Sequence, residues 1–115
     1  MQDISLLELN KPELFEKFKQ QLQRDFEMSG SELYTPVIDC NDLQRIHEAV
    51  QHSITRLSNE NNLQYYALLY RIDLTESQIH KRSLELPETP LMAVVAELII
   101  KRILQKIILK QLYSQ

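Results

Sequence analysis

The sequence predicts an all-α fold, a bundle of four to five helices with a long C-terminal helix, in a single domain over residues 1–115. Three observations carry this. The chain holds one glycine, Gly30, whereas tight hairpin turns draw on glycine for backbone at positive φ. It is rich in Leu, Gln, Glu and Lys, all good helix formers. Apolar residues recur at three- and four-residue steps along most of its length, as one face of a helix requires. The alternative is an α+β fold with a minor two-stranded pairing of residues 37–40 and 64–72.

Residues 1–10 are a lead-in. Ile4, Leu6, Leu7 and Leu9 suit a short helical turn or an arm lying on the core. A helix is expected from Lys11 to Met28. Asn10 is its N-cap, Glu13 sits three residues on, and Pro12 occupies the first turn, where a missing N–H costs nothing. Leu14, Phe18, Leu22 and Phe26, with Phe15 alongside, make its buried stripe. Gly30 supplies the stop. Residues 29–40 form a connector, and Pro36 turns Thr35 away from helix.

The second helix is expected from Asp42 to Leu57, capped by Asn41 or Asp39. Its buried stripe is Leu43, Ile46, Ala49, Val50, Ile54 and Leu57. The polar run from Ser58 to Asn62 ends or bends it. Residues 63–74 are apolar on all sides. Read as a helix, Leu63, Tyr66, Ala67 and Tyr70 share one side, and Tyr65, Leu69 and Ile72 share the other. Helix is preferred because a lone strand leaves its backbone groups unpaired. Thr75 caps a short helix, Glu76 to Ser83. After the Pro87–Pro90 linker, Thr89 caps a last helix from Pro90 to Tyr113, with Pro90 at its first position.

The net charge is -3 and the pI about 5.6, which gives no general attraction for phosphate backbones or anionic membranes. Lys101, Arg102, Lys106 and Lys110 lack the interleaved aromatics of a nucleic-acid face, and cations near a helix C-terminus favour its dipole. No nucleic-acid partner is expected. No apolar run reaches the ~18 residues of a membrane span, and the N-terminus lacks a signal-peptide pattern. The expected location is cytoplasmic. The single cysteine excludes an intramolecular disulfide.

No catalytic signature emerges, and neither an enzyme nor a cofactor is expected. His47 and His52 bracket a segment resembling H-E-x-x-H, but at five residues apart they diverge by ~140° on a helix. The pairs Glu48/His52 and Glu76/His80 share helical faces but lack the further carboxylates of a di-metal bundle. Cys40 is flanked by Asp39 and Asp42, which oppose a reactive thiolate.

Two groups remain as candidate sites. Tyr65, Tyr66, Tyr70, Arg71 and Asp73 are the densest aromatic and polar cluster, suited to a ligand pocket or an interface. The last helix carries excess apolar surface. Met92, Ala93, Ala96, Ile99, Ile100, Ile103, Leu104 and Ile107 already form a full buried face, yet Val94, Leu98, Ile108, Leu109 and Leu112 lie opposite. Either the helix runs through the centre of the fold, or its second face meets a protein partner, most simply a second copy in a homodimer. The expected function is a non-enzymatic protein-interaction or self-associating module. The alternative is a small-ligand-binding or enzymatic helical domain built on the tyrosine cluster.

Overall fold

A computed structural model of the protein describes residues 11–113. Five α-helices succeed one another among them: α1 (Pro12–Met28), α2 (Leu43–Glu60), α3 (Asn62–Ile72), α4 (Glu76–Glu85) and α5 (Leu91–Tyr113). A single 3₁₀ turn, Glu32–Tyr34, interrupts the α1–α2 connector. The alternative pairing of residues 37–40 with 64–72 does not form. Residues 64–72 satisfy their backbone within α3, and the described residues contain no strand.

The helix ends follow local chemistry. Lys11 stands at the N-cap of α1 and makes no side-chain cap bond; the expected cap, Asn10, lies outside the described residues, as do Ile4, Leu6, Leu7 and Leu9. Gly30, at φ 81°, closes α1. Its N–H donates to the Glu27 carbonyl at 3.0 Å and the Ser31 N–H to that of Phe26 at 2.8 Å, which is a Schellman stop. The cap of α2 is Asp42, not Asn41 or Asp39: its Oδ1 accepts the Gln44 N–H at 3.1 Å. The polar run does not stop α2 at Leu57; the helix continues to Glu60.

Asn61 then serves two helices. Its N–H donates to Leu57 at the end of α2, and its side chain accepts the Gln64 N–H at the start of α3. Asp73 ends α3 in the left-handed region, φ 72°, with the same paired bonds that Gly30 makes: Asp73 N–H to Tyr70 and Leu74 N–H to Leu69. Thr75 and Gln78 form a reciprocal capping box on α4, as the S/T-x-x-E/Q pattern allows. The Pro90 carbonyl accepts the N–H groups of Ala93 and Val94, so Pro90 stands one position before α5 rather than within it.

The core lies around α5. The expected stripe of α1 (Leu14, Phe18, Leu22 and Phe26) is buried, as are Ile46, Val50, Ile54 and Leu57 of α2. Leu43, placed on that stripe by periodicity, is exposed at the first turn. From α3 come Tyr65, Leu68, Leu69 and Ile72, and from α4 only Ile79. On α5, Val94, Val95, Ala96, Ile99, Ile100, Ile103, Leu104 and Ile107 are all buried. All four other helices pack against α5. The helix is therefore central, and its surplus apolar face is buried at Val94, half-buried at Leu98 and Ile108, and exposed only in its last two turns.

Polar ties fix this arrangement at the edges. Lys110 Nζ donates to Gln21 Oε1 at 2.9 Å and Lys106 Nζ to Asp25 Oδ2 at 3.0 Å. Ascending positions on α1 thus meet descending positions on α5, so the two helices run antiparallel. Arg82 of α4 reaches Glu97 of α5. His47 of α2 donates from Nε2 to the Ala93 carbonyl at 3.0 Å.

Candidate functional site

The predicted tyrosine cluster splits into three environments. Arg71 points away from the tyrosines, and its Nε donates to Asp25 Oδ1 at 3.2 Å. Asp73 accepts from Arg102 Nη2 at 3.1 Å. Both are bound into ties between helices and do not line a site with Tyr65, Tyr66 and Tyr70. The reason is helical phase: Arg71 lies at about 100° from Tyr70 and turns toward α1.

Tyr65 is buried and stands edge-on to Tyr66, with ring centroids 5.3 Å apart. Burial first, and then the neighbouring Tyr66 and Glu76, push its phenol up to about 12. It remains a neutral hydroxyl at any physiological pH. Tyr65 and Tyr66 form one wall of a shallow cleft of about 300 Å³, with Glu76, Ile79 and His80 of α4 opposite and Met92 at its end. The volume sits at the lower limit for small-molecule sites.

Tyr66 and Tyr70 face outward with Leu63 and Ala67. Leu63 is 84% exposed, Tyr66 47% and Tyr70 87%. The spacing 63, 66, 67, 70 puts all four on one stripe about 100° wide, opposite the buried Tyr65, Leu68, Leu69 and Ile72. No residue from Asn62 to Tyr70 is charged, in a chain that is 25% charged. An exposed helix face without charge and with two tyrosines has the composition of an interface centre. The sequence grouping of these four residues was available from periodicity. The absence of charge across the segment was the further signal that singles out Leu63 and Ala67.

The five residues proposed on the far side of α5 fare unequally. Val94 is wholly buried and has no surface to offer a partner; this corrects its assignment to an interface. Leu98 is half-buried and packs against the core. Ile108 is half-buried. Leu109 and Leu112 are exposed, in the last two turns of α5.

No family model matches this chain, and no match is found among curated proteins or solved structures. Among the described residues, no group of three or more His, Cys, Asp or Glu side chains could hold a metal ion. His47 is committed to the Ala93 carbonyl, and His52 points to solvent. Cys40 is a half-buried free thiol. Among the described residues, no helix is long and apolar enough to cross a membrane.

The feature missed entirely from sequence is Asp25. It is fully buried and accepts bonds from Gln21, Arg71 and Lys106. Its position was readable: it lies three residues past Leu22 and seven past Phe18, on the apolar stripe itself. A carboxylate there must be paired or neutralised.

Proposed function

We propose that this protein is a non-enzymatic helical module that acts by associating with a second copy of itself, through the outward face of α3. The supporting observation is the uncharged stripe Leu63, Tyr66, Ala67 and Tyr70, which no other element among the described residues covers. At their exposures, the two tyrosines and the leucine present on the order of 500 Å² of largely apolar surface. That is near the largest patch an ordinary monomer carries, and over half of the ~800 Å² per partner of a standard interface. The function then resides in assembly, and the bundle around α5 serves to hold that face rigid.

Sedimentation equilibrium across micromolar to millimolar protein tests this. A species of twice 13.6 kDa is expected to grow in with concentration. Tyr70→Glu should hold the protein at the monomer mass with its helical content unchanged. A monomer at every concentration sinks the reading.

A second reading rests on the cleft between α3 and α4. Tyr65, Tyr66, Glu76 and His80 give it phenol hydroxyls, a carboxylate and an imidazole beside the apolar Ile79, Leu91 and Met92, a set suited to a small polar-headed ligand. A thermal-shift screen over metabolites discriminates, because a ligand of the folded state raises the melting temperature. A hit abolished by Ser83→Trp, a change at the cleft wall, would favour this reading over self-association.

A further inference from the structure

Resting on the self-association reading, we infer that two copies pair antiparallel along α3, about a two-fold axis between Tyr66 and Ala67. The register of the stripe favours this pairing. In an antiparallel pair centred there, position 63 lies opposite position 70 and position 66 opposite position 67. Leu63 then covers the partner's Tyr70, and Tyr66 meets the partner's Ala67. The largest side chain at the axis falls against the smallest, so the backbones approach without a clash, and the aliphatic end of each stripe lies on the aromatic end of the other. The same patch is used twice, as a closed two-fold contact requires.

Charge permits this pairing. A two-fold axis places like groups near one another, and like charges there would oppose association. The segment from Asn62 to Tyr70 carries none. Arg71, the next cation, is drawn inward to Asp25. A parallel pairing, by contrast, would stack Tyr66 on Tyr66 and Tyr70 on Tyr70, leaving the small Ala67 as a gap beside them.

Engineered cysteines test the register in a Cys40→Ser background. Leu63→Cys and Tyr70→Cys are made as separate proteins, each at an exposed position. Opposed residues across the axis come within the ~7 Å between Cα atoms that a disulfide allows. Position 63 is displaced from its own copy by about 10 Å along the helices, at 1.5 Å rise per residue. The mixture should therefore form a cross-linked dimer under mild oxidation, and either protein alone should not. Ala67→Glu, which puts two carboxylates at the axis, should shift the Cys40→Ser parent to monomer in sedimentation. Cross-linking by Leu63→Cys alone, or a dimer that gives no cross-link in the mixture, overturns this register and leaves self-association standing. A Cys40→Ser parent that stays monomeric at all concentrations overturns both.

Discussion

The oxygens of Asp25 collect donors from three helices: Gln21 on α1, Arg71 on α3 and Lys106 on α5. A carboxylate with no exposure to water persists only because these groups replace its hydration. Asp25→Ala strands two cations at the edge of the core and is expected to cost about 3 kcal/mol in urea unfolding; a loss below about 1 kcal/mol would mean the tie contributes little. The opposite sign is expected at Ser31, whose buried hydroxyl has no partner among the described residues. Ser31→Ala should stabilise by about 1 kcal/mol on the same assay, by removing an unmet hydrogen-bonding group. Tyr65 links the core to alkaline pH. An unfolded tyrosine loses its proton near pH ~10, while the folded one holds it to about 12. In that window the unfolded state binds fewer protons, so stability that is fully present at lower pH declines as pH rises. Tyr65→Phe should flatten this decline in melting temperature between the two values, and an unchanged slope would assign it to other groups.

Among the helices, α5 and α4 stand at opposite limits of attachment. On α5, Leu98 packs against the core while Leu109 is exposed. Leu98→Glu should therefore lower stability by about 2 kcal/mol, and Leu109→Glu by no more than ~0.5 kcal/mol, in chemical denaturation. Equal effects would contradict the placement of the two faces. α4 contributes one buried apolar residue, Ile79, so its amides should exchange with solvent fastest among the helices. The element plan was legible because periodicity and breakers agree in this chain: the α1 stripe, the Thr75 cap and the Gly30 stop fall where local chemistry puts them, while the α2 cap and the start of α5 lie one residue further on, at Asp42 and Leu91. Residues 63–74 stayed open because Tyr65, Leu68, Leu69 and Ile72 on one side and Leu63, Tyr66 and Tyr70 on the other are both apolar. Periodicity separates two faces but does not say which one is covered. The same limit applied to α5, where only the packing of four neighbours shows that Val94 is core. Arg71 and Asp73 lie close in sequence to the tyrosines, and helical phase, not proximity, assigns them elsewhere.

At the scale of the whole molecule, the buried apolar side chains of all five helices, apart from Val94, join into one cluster. Unfolding is expected to be a single transition, with far-ultraviolet and tyrosine near-ultraviolet circular dichroism superimposing. Ile100→Ala, at the centre of that cluster, should lower the midpoint by an amount equivalent to about 3 kcal/mol without separating the two signals. Separate transitions would show that some helix folds on its own. The central position of α5 also bears on biosynthesis. A ribosome makes α1 to α4 before the helix they pack around, so the part of their apolar surface that α5 covers must wait for it, even though α3 already packs on α1 and α2. While residues 91–107 are still inside the exit tunnel, the nascent chain keeps exposed the apolar surface that α5 will cover. Folding of this bundle is thus expected to be completed only once α5 has been translated.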